Sequence, residues 1–512
     1  MQRRPLVPLL AVSVMAALAP ALAAAPATAS PSARSTPASA AADAEPLRPY
    51  ARQKPVWGKC GAGTPAALRC ATLKVPLDYR DPGGKKIDIA ISRLKTSAPG
   101  KRHGVLLSNP GGPGGPGLEM PLELERQLPR QVKDRYDLIG FDPRGVGRST
   151  PVQCGLSPEE NVLLRPLRTF DKNVALARSV ADKCRAKAGD KLPHITTRNT
   201  ARDMDVLRAA LGERKISYYG VSYGTALGAV YTQLFPRRAD RFVLDSAIDP
   251  KLMWRGMFRI WAPEAERAFQ RWTKWTAARD ATYRLGDTPA EVGKSFWALV
   301  ARADRDPIVI DGVPLDGAGV REQVRPNLFT VRDAARQVVR LKEAAGGRAK
   351  AQDLPEPPPE PDVSATVSVV CGDSSWPRDP ETYRRDSVRD ADRYPLYGDF
   401  ASGVLPCAFW DRPVEPATEV NNTVPALIVQ NEWDSQTPLV TAQALHGQMK
   451  GSRMVTVDEG EGHGVYGTNP CADFAANSYL ATGKLPAADV TCRATPGERR
   501  VTSSLPAPGP LG

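Results

Sequence analysis

Histidine is scarce in this chain, with four in 512 residues, and that leaves few candidates for a general base. The eight cysteines lack paired C-x-x-C spacing and stand apart from the histidines, which excludes the usual zinc modules. No apolar run after the N-terminal leader is long enough to span a bilayer. An arginine-rich arm and an aromatic-basic repeat are also missing. The formal charge of +13 is spread along the sequence with acidic residues interleaved, so a soluble basic protein is expected and a nucleic-acid binder is not. No metal or cofactor is called for.

The chain is too long for one typical domain and has room for a large core with a sizeable insertion. Met1-Gln2-Arg3-Arg4 precedes an apolar run from Pro5 to Ala25, and Ala27-Thr28-Ala29 offers a small-x-small cleavage site. Residues 1–29 therefore read as a secretory signal, with a retained membrane anchor as the rival, and the location expected is extracellular. Residues 30–49, rich in Ala, Pro, Ser and Thr, read as a linker or propeptide. An even number of cysteines suits an oxidising compartment. Their order suggests the pairs Cys60–Cys70, Cys154–Cys184, Cys371–Cys407 and Cys471–Cys492, although spacing alone leaves connectivity open.

The most informative run is Ile216 to Gly228, where a short strand turns through Gly220-Val221-Ser222-Tyr223-Gly224 into a helix of small residues. This is the pattern of a nucleophile elbow, which lifts the Ser222 hydroxyl above a sheet at a helix N-terminus. Upstream, the buried strand Val105–Ser108 leads into Asn109-Pro110-Gly111-Gly112-Pro113-Gly114. Bare backbone there can supply an oxyanion donor, from Gly111 or Gly112, beside the N–H of Tyr223. The acid and histidine should follow, each in a loop beyond a core strand. Strand Val424–Gln430 leads to Asp434, and strand Arg453–Val457 leads to Gly462-His463-Gly464. His103, His194 and His446 are poorly placed, so His463 is the expected base. Glu432, Asp458, Glu459 and Glu461 compete with Asp434 for the acid role, and Asp434 has the better loop position.

Strands at Leu73–Leu77, Lys86–Leu94, Tyr136–Phe141 and Arg241–Ala247, with a helix at Asn199–Leu211, complete an α/β order. A mostly parallel sheet covered by helices is predicted, the α/β-hydrolase fold. Its core should occupy residues 50–250 and 418–495. Residues 251–417 should form a mainly helical cap over the site, carrying Trp254, Trp261, Trp272 and Trp275 and an extended proline-rich connector, Leu354–Pro361. Those tryptophans either wall the site or build the core of the cap. Residues 496–512 read as a flexible tail. Arg144, in Asp142-Pro143-Arg144-Gly145, is expected to pair with nearby carboxylates and brace the oxyanion loop.

Together, the Asn109–Gly114 run, the Phe141–Gly147 run, the Ser222 elbow, the Asp434 loop and Gly462-His463 resemble the secreted actinobacterial tripeptidyl aminopeptidases of the prolyl-aminopeptidase-like α/β-hydrolase family. The resemblance spans about residues 50 to 495. It implies a serine exopeptidase, with triad Ser222, Asp434 and His463 and no cofactor, that releases tripeptides from free N-termini of peptides and proteins. Asn109-Pro110 stands where many prolyl-type relatives have a histidine, which favours the tripeptidyl branch. A carboxylesterase, a prolyl or other aminopeptidase, and a non-catalytic binding protein on a hydrolase scaffold are the alternatives. An exopeptidase must also hold the substrate ammonium, for which Asp373 and Glu432 are the candidate carboxylates. A monomer is the expected state.

Overall fold

The computed structural model describes residues 45–347 and 362–495. The secretory signal, residues 30–44 of the linker, the Leu354–Pro361 connector and the tail lie outside the described residues. Residues 45–49 belong to a short helical entry in which Leu47 is buried.

The sheet strands in chain order are β1 (Gly58–Lys59), β2 (Leu68–Pro76), β3 (Lys86–Leu94), β4 (Gly104–Asn109), β5 (Tyr136–Phe141), β6 (Ile216–Val221) and β7 (Ala239–Asp245). A small separate hairpin, β8 (Ile308–Ile310) and β9 (Val313–Leu315), intervenes before β10 (Ala426–Trp433), β11 (Arg453–Glu461) and β12 (Val490–Arg493). The large sheet runs β1-β2-β3-β5-β4-β6-β7-β10-β11-β12. Its first three pairings are antiparallel and every later one is parallel.

Burial explains which strands were easy to read. β4, β5 and β6 are buried at every position because helices cover both faces, as parallel sheets require. Successive side chains divide between two apolar layers: Val105, Leu107, Tyr218, Phe242 and Ile428 on one face, Leu106, Tyr219, Val243, Leu427 and Val429 on the other. β2 starts earlier than the predicted Leu73. It pairs with β3 from Leu68↔Leu94 to Pro76↔Lys86, and exposed Arg69, Thr72 and Lys74 interrupt its apolar positions.

Helices dominate the chain between β7 and β10, in the insertion that caps the sheet. Helix Arg255–Ala277 packs through Phe269 and Trp272 against Phe296 of helix Pro289–Arg305, with Phe269 and Phe296 ring centroids 5.1 Å apart. Trp272 is fully buried in this layer. Disulfides join Cys60 to Cys70, Cys154 to Cys184, Cys371 to Cys407 and Cys471 to Cys492. No helix among the described residues is long and apolar enough to cross a membrane.

Candidate active site

The pairings Asn109↔Gly220 and Val221↔Asp245↔Val429 bring the carboxyl ends of β4, β6, β7 and β10 side by side, the usual place for a ligand crevice in an α/β sheet. Ser222 lies at that edge with φ 58° and ψ −124°, immediately before helix Tyr223–Leu234. Its N–H donates to Asp245 O at 2.9 Å. The elbow closes so tightly that a Cβ on Gly220 would sit 2.5 Å from Gly224 O, and one on Gly224 would sit 2.7 Å from Asn109 O. Ser222 Oγ makes no hydrogen bond among the described residues.

The glycine loop after β4 folds against the elbow. Gly111 N–H donates to Asn109 Oδ1 at 3.1 Å, so this donor is already committed. Gly112, at φ +110°, lines the same cavity as Ser222. Tyr223 turns its side chain away, into a hydrogen bond with Thr197 Oγ1 at 2.8 Å. The loop is anchored by Asp142, whose Oδ1 accepts from Gly117 N–H at 2.9 Å and Leu118 N–H at 3.3 Å. Arg148 N–H donates to its Oδ2 at 2.8 Å.

Arg144 braces a different part of the molecule from the one expected. Fully buried, it forms a bidentate pair with Asp203 at 2.6 and 2.8 Å and donates to the carbonyls of Leu77, His194 and Pro76. It therefore ties helix Thr197–Ala210 to the end of β2, and Asp142 is the residue that anchors the glycine loop. A carboxylate directly after the fully buried strand β5 was the available sequence signal.

Beyond β10, Asp434 is buried and accepts from Gln436 N–H at 2.8 Å, Thr437 N–H at 3.0 Å and Thr437 Oγ1 at 2.8 Å. His463 Nδ1 lies 2.8 Å from Asp434 Oδ2. Burial opposes charge on both groups; their mutual attraction and hydrogen bonding outweigh it, holding Asp434 below the usual carboxylate range and His463 above the usual imidazole value. Thr437 was not anticipated, although it follows the acid in Asp434-Ser435-Gln436-Thr437. The other histidines lie elsewhere: His103 contacts Asp240 at 2.6 Å, His446 contacts Ser452 at 2.7 Å, and His194 presents its carbonyl to Arg144.

The cap supplies apolar walls. Trp254, Met257, Phe258 and Trp261 join Ile248 around a narrow cavity at Ser222. Both wall tryptophans are held by their N–H edges, Trp254 to Asp373 Oδ2 at 3.0 Å and Trp261 to Gln436 O at 2.7 Å. Trp275 packs outside, on Tyr283. Phe329 stacks on His463 with centroids 5.9 Å apart, and Arg325 donates to Gln436 Oε1.

Asp373 is buried and also accepts from Thr197 N–H at 2.7 Å and Thr197 Oγ1 at 2.6 Å. It forms no ion pair with Lys or Arg among the described residues, and burial pushes its pKa up to about 6. A second small cavity touches Asp373, Arg198, Met253 and Glu415. Glu432 lies half-buried at the end of β10 and accepts from Glu459 N–H at 2.7 Å. Among the described residues no group of three or more His, Cys, Asp or Glu side chains is arranged to hold a metal.

A serine on an elbow, a glycine loop beside it and an acid–histidine pair across the strand ends define the serine-hydrolase class of α/β-hydrolases. Comparison with known proteins agrees: residues 104–295 match the family described as alpha/beta hydrolase fold, and residues 394–492 match the TAP-like protein family. The chain is 37% identical to the tripeptidyl aminopeptidase of Streptomyces lividans over 476 residues, covering 86% of this chain and 87% of that protein. It is 30% identical to the serine protease Hip1 of Mycobacterium tuberculosis over 509 residues, covering 88% and 93%. To carboxylesterase B of the same organism it is 29% identical over 465 residues, covering 83% and 86%. The chain belongs to the tripeptidyl aminopeptidase-like family of α/β-hydrolases.

Proposed function

We propose that the protein is a secreted serine exopeptidase that releases tripeptides from free N-termini of peptides and proteins. Ser222 Oγ attacks the carbonyl of the third residue while His463 Nε2 takes its proton, with Asp434 holding the other ring nitrogen. The N–H groups of Tyr223 and Gly112 stabilise the oxyanion. His463 then protonates the departing amine, and water resolves the acyl-enzyme by the same steps in reverse. The observation that carries this chemistry is the 2.8 Å contact between His463 Nδ1 and Asp434 Oδ2 beside an elbow serine. The tripeptide register rests on similarity to the Streptomyces lividans enzyme.

Of the two candidate ammonium anchors, Asp373 fits better. It is a buried carboxylate hydrogen-bonded by neutral donors, one of them Trp254, whose ring walls the Ser222 cavity, and no Lys or Arg among the described residues forms an ion pair with it. Four disulfides suit export to an oxidising compartment.

The apolar cavity walls and the similarity to carboxylesterase B favour a second reading, an esterase with a cap that admits an acyl chain. One panel separates the two: a free-amino tripeptidyl anilide, its N-acetyl form, single-residue anilides including proline, and a short-chain nitrophenyl ester. Release mainly from the free tripeptide supports the peptidase. Rapid ester turnover without anilide cleavage supports the esterase, and preference for prolyl anilide supports an iminopeptidase.

A further inference from the structure

The loop bearing His463 is held by side chains from neighbouring strand ends. Gly464 N–H donates to Ser246 Oγ at 2.8 Å, Val465 N–H to Asp245 Oδ1 at 2.8 Å, and Tyr466 N–H to Asp245 Oδ2 at 2.9 Å. The next amide, Gly467, donates to Asp473 Oδ1 at 2.8 Å. On the opposite side, Asn431 Nδ2 donates to the carbonyls of Glu461 and Gly462 at 3.0 Å and of Gly464 at 3.3 Å. Among the described residues no main-chain hydrogen bond from another segment reaches residues 462–466 outside the strands. The loop's orientation therefore depends on these side chains.

Asp245 ends β7, the strand that receives the Ser222 N–H, and Ser246 directly follows it. The main chain that seats the nucleophile thus continues into the side chains that seat the histidine loop. Ser246 has φ 58°, an uncommon conformation for a side-chain-bearing residue. Its Oγ lies 3.2 Å from Asp245 Oδ1, and Tyr219 OH donates to Oδ2 at 3.0 Å. Asp245 has no hydrogen bond to the His463 ring and is not the acid that orients it.

We infer that Asp245, with Ser246 and Asn431, positions the general base: the three side chains fix the backbone of the His463 loop relative to Ser222, independently of the His463–Asp434 bond. This rests on the reading of Ser222 and His463 as nucleophile and base. Asp245 also acts on the imidazole through its charge; burial pushes its own pKa up, while the Tyr466 and Val465 amides favour the carboxylate. The charged groups acting on His463 are Asp434 from the β10 loop, Asp245 from β7 and Arg325 from the cap. The titratable groups beside Asp245 are the neutral phenols of Tyr219 and Tyr466, together with Asp473 and His463 itself. Loss of the Asp245 charge makes the imidazolium less favourable, so the base stays free of its proton to lower pH.

The test compares wild type, Asp245→Asn and Ser246→Ala by tripeptidyl-anilide turnover and by the rate at which a fluorophosphonate labels Ser222. Asp245→Asn keeps the side-chain volume. It should lower kcat and the labelling rate by about 10–100-fold, as loss of an outer support does elsewhere, with KM nearly unchanged and the acidic limb of kcat/KM moved to lower pH. Ser246→Ala, which removes one bond and no charge, should lower both rates by several-fold without moving the limb, and it carries the test if Asp245→Asn does not fold. A folded Asp245→Asn protein with wild-type labelling, turnover and pH limb overturns the inference, as does an unaltered Ser246→Ala protein if it stands alone. Wild type that takes up no phosphonate instead removes Ser222 as nucleophile, a different failure. Wild type that labels normally and cleaves only esters leaves the inference intact, with ester turnover as its readout.

Discussion

Ser222 occupies a positive-φ position that any replacement with a Cβ must share, so Ser222→Ala should keep the wild-type melting temperature. Its peptide turnover should fall by about 10⁴–10⁶-fold; a purified variant within tenfold of wild type would remove Ser222 from the mechanism. The base follows from linkage. Burial disfavours the imidazolium, and Asp434 more than offsets this, so His463 keeps its proton to a higher pH than a free histidine. Activity needs the neutral ring and should rise with pH through a midpoint above the free value of about 6.5, a limb that a pH profile of kcat/KM reads directly. Arg144 belongs to stability. Removing it by Arg144→Met leaves Asp203 buried without a countercharge, at a cost of about 3–5 kcal/mol in urea unfolding, and a variant that melted normally but lost peptide binding would reverse that assignment. Asp373→Asn tests the ammonium role: KM for a free-amino tripeptidyl anilide should rise at least about tenfold, the weight of one charged contact, with single-residue anilides unaffected. An unchanged KM returns Asp373 to holding Thr197 and Trp254.

Strands were legible in the sequence to the residue where apolar residues alternate, as Ile87, Ile89 and Ile91 do in Lys86–Leu94, or cluster, as Leu138, Ile139 and Phe141 do in Tyr136–Phe141. The elbow was legible as well, because glycine, serine and glycine at that spacing answer to one local geometry. Contacts made across strands were not. Arg144 meets Asp203 through the docking of a helix on β2, and Asp245 meets Val465 through the placement of β7 beside β10 and β11; neither partner is marked in the local pattern. The four tryptophans illustrate the same limit, since Trp254 and Trp261 wall the cavity, Trp272 fills the cap core and Trp275 packs outside it, although all share one stretch of helical sequence. Trp261 and Arg325 both reach Gln436, the residue whose N–H holds Asp434. Cap and acid are thereby linked through a single residue.

Across the whole molecule, all eight cysteines are paired and none is free. The Cys371–Cys407 bond closes a loop with a sequence separation of 36, and the loop-entropy relation assigns such a closure roughly 3–4 kcal/mol. A Cys371→Ser/Cys407→Ser double variant should lose about that much in urea unfolding; equal stability would show that the cap border is held by packing alone. The pairing of β7 with β10 has a consequence in time. The two strands lie side by side, Asp245 against Val429, yet the whole insertion separates them along the chain, and a polypeptide is made from one end. The proposed nucleophile emerges first, and the acid and base arrive only with the final strands. A chain still being synthesised therefore holds the proposed nucleophile with no base to deprotonate it, and the proposed triad is complete only when the final strands have been made.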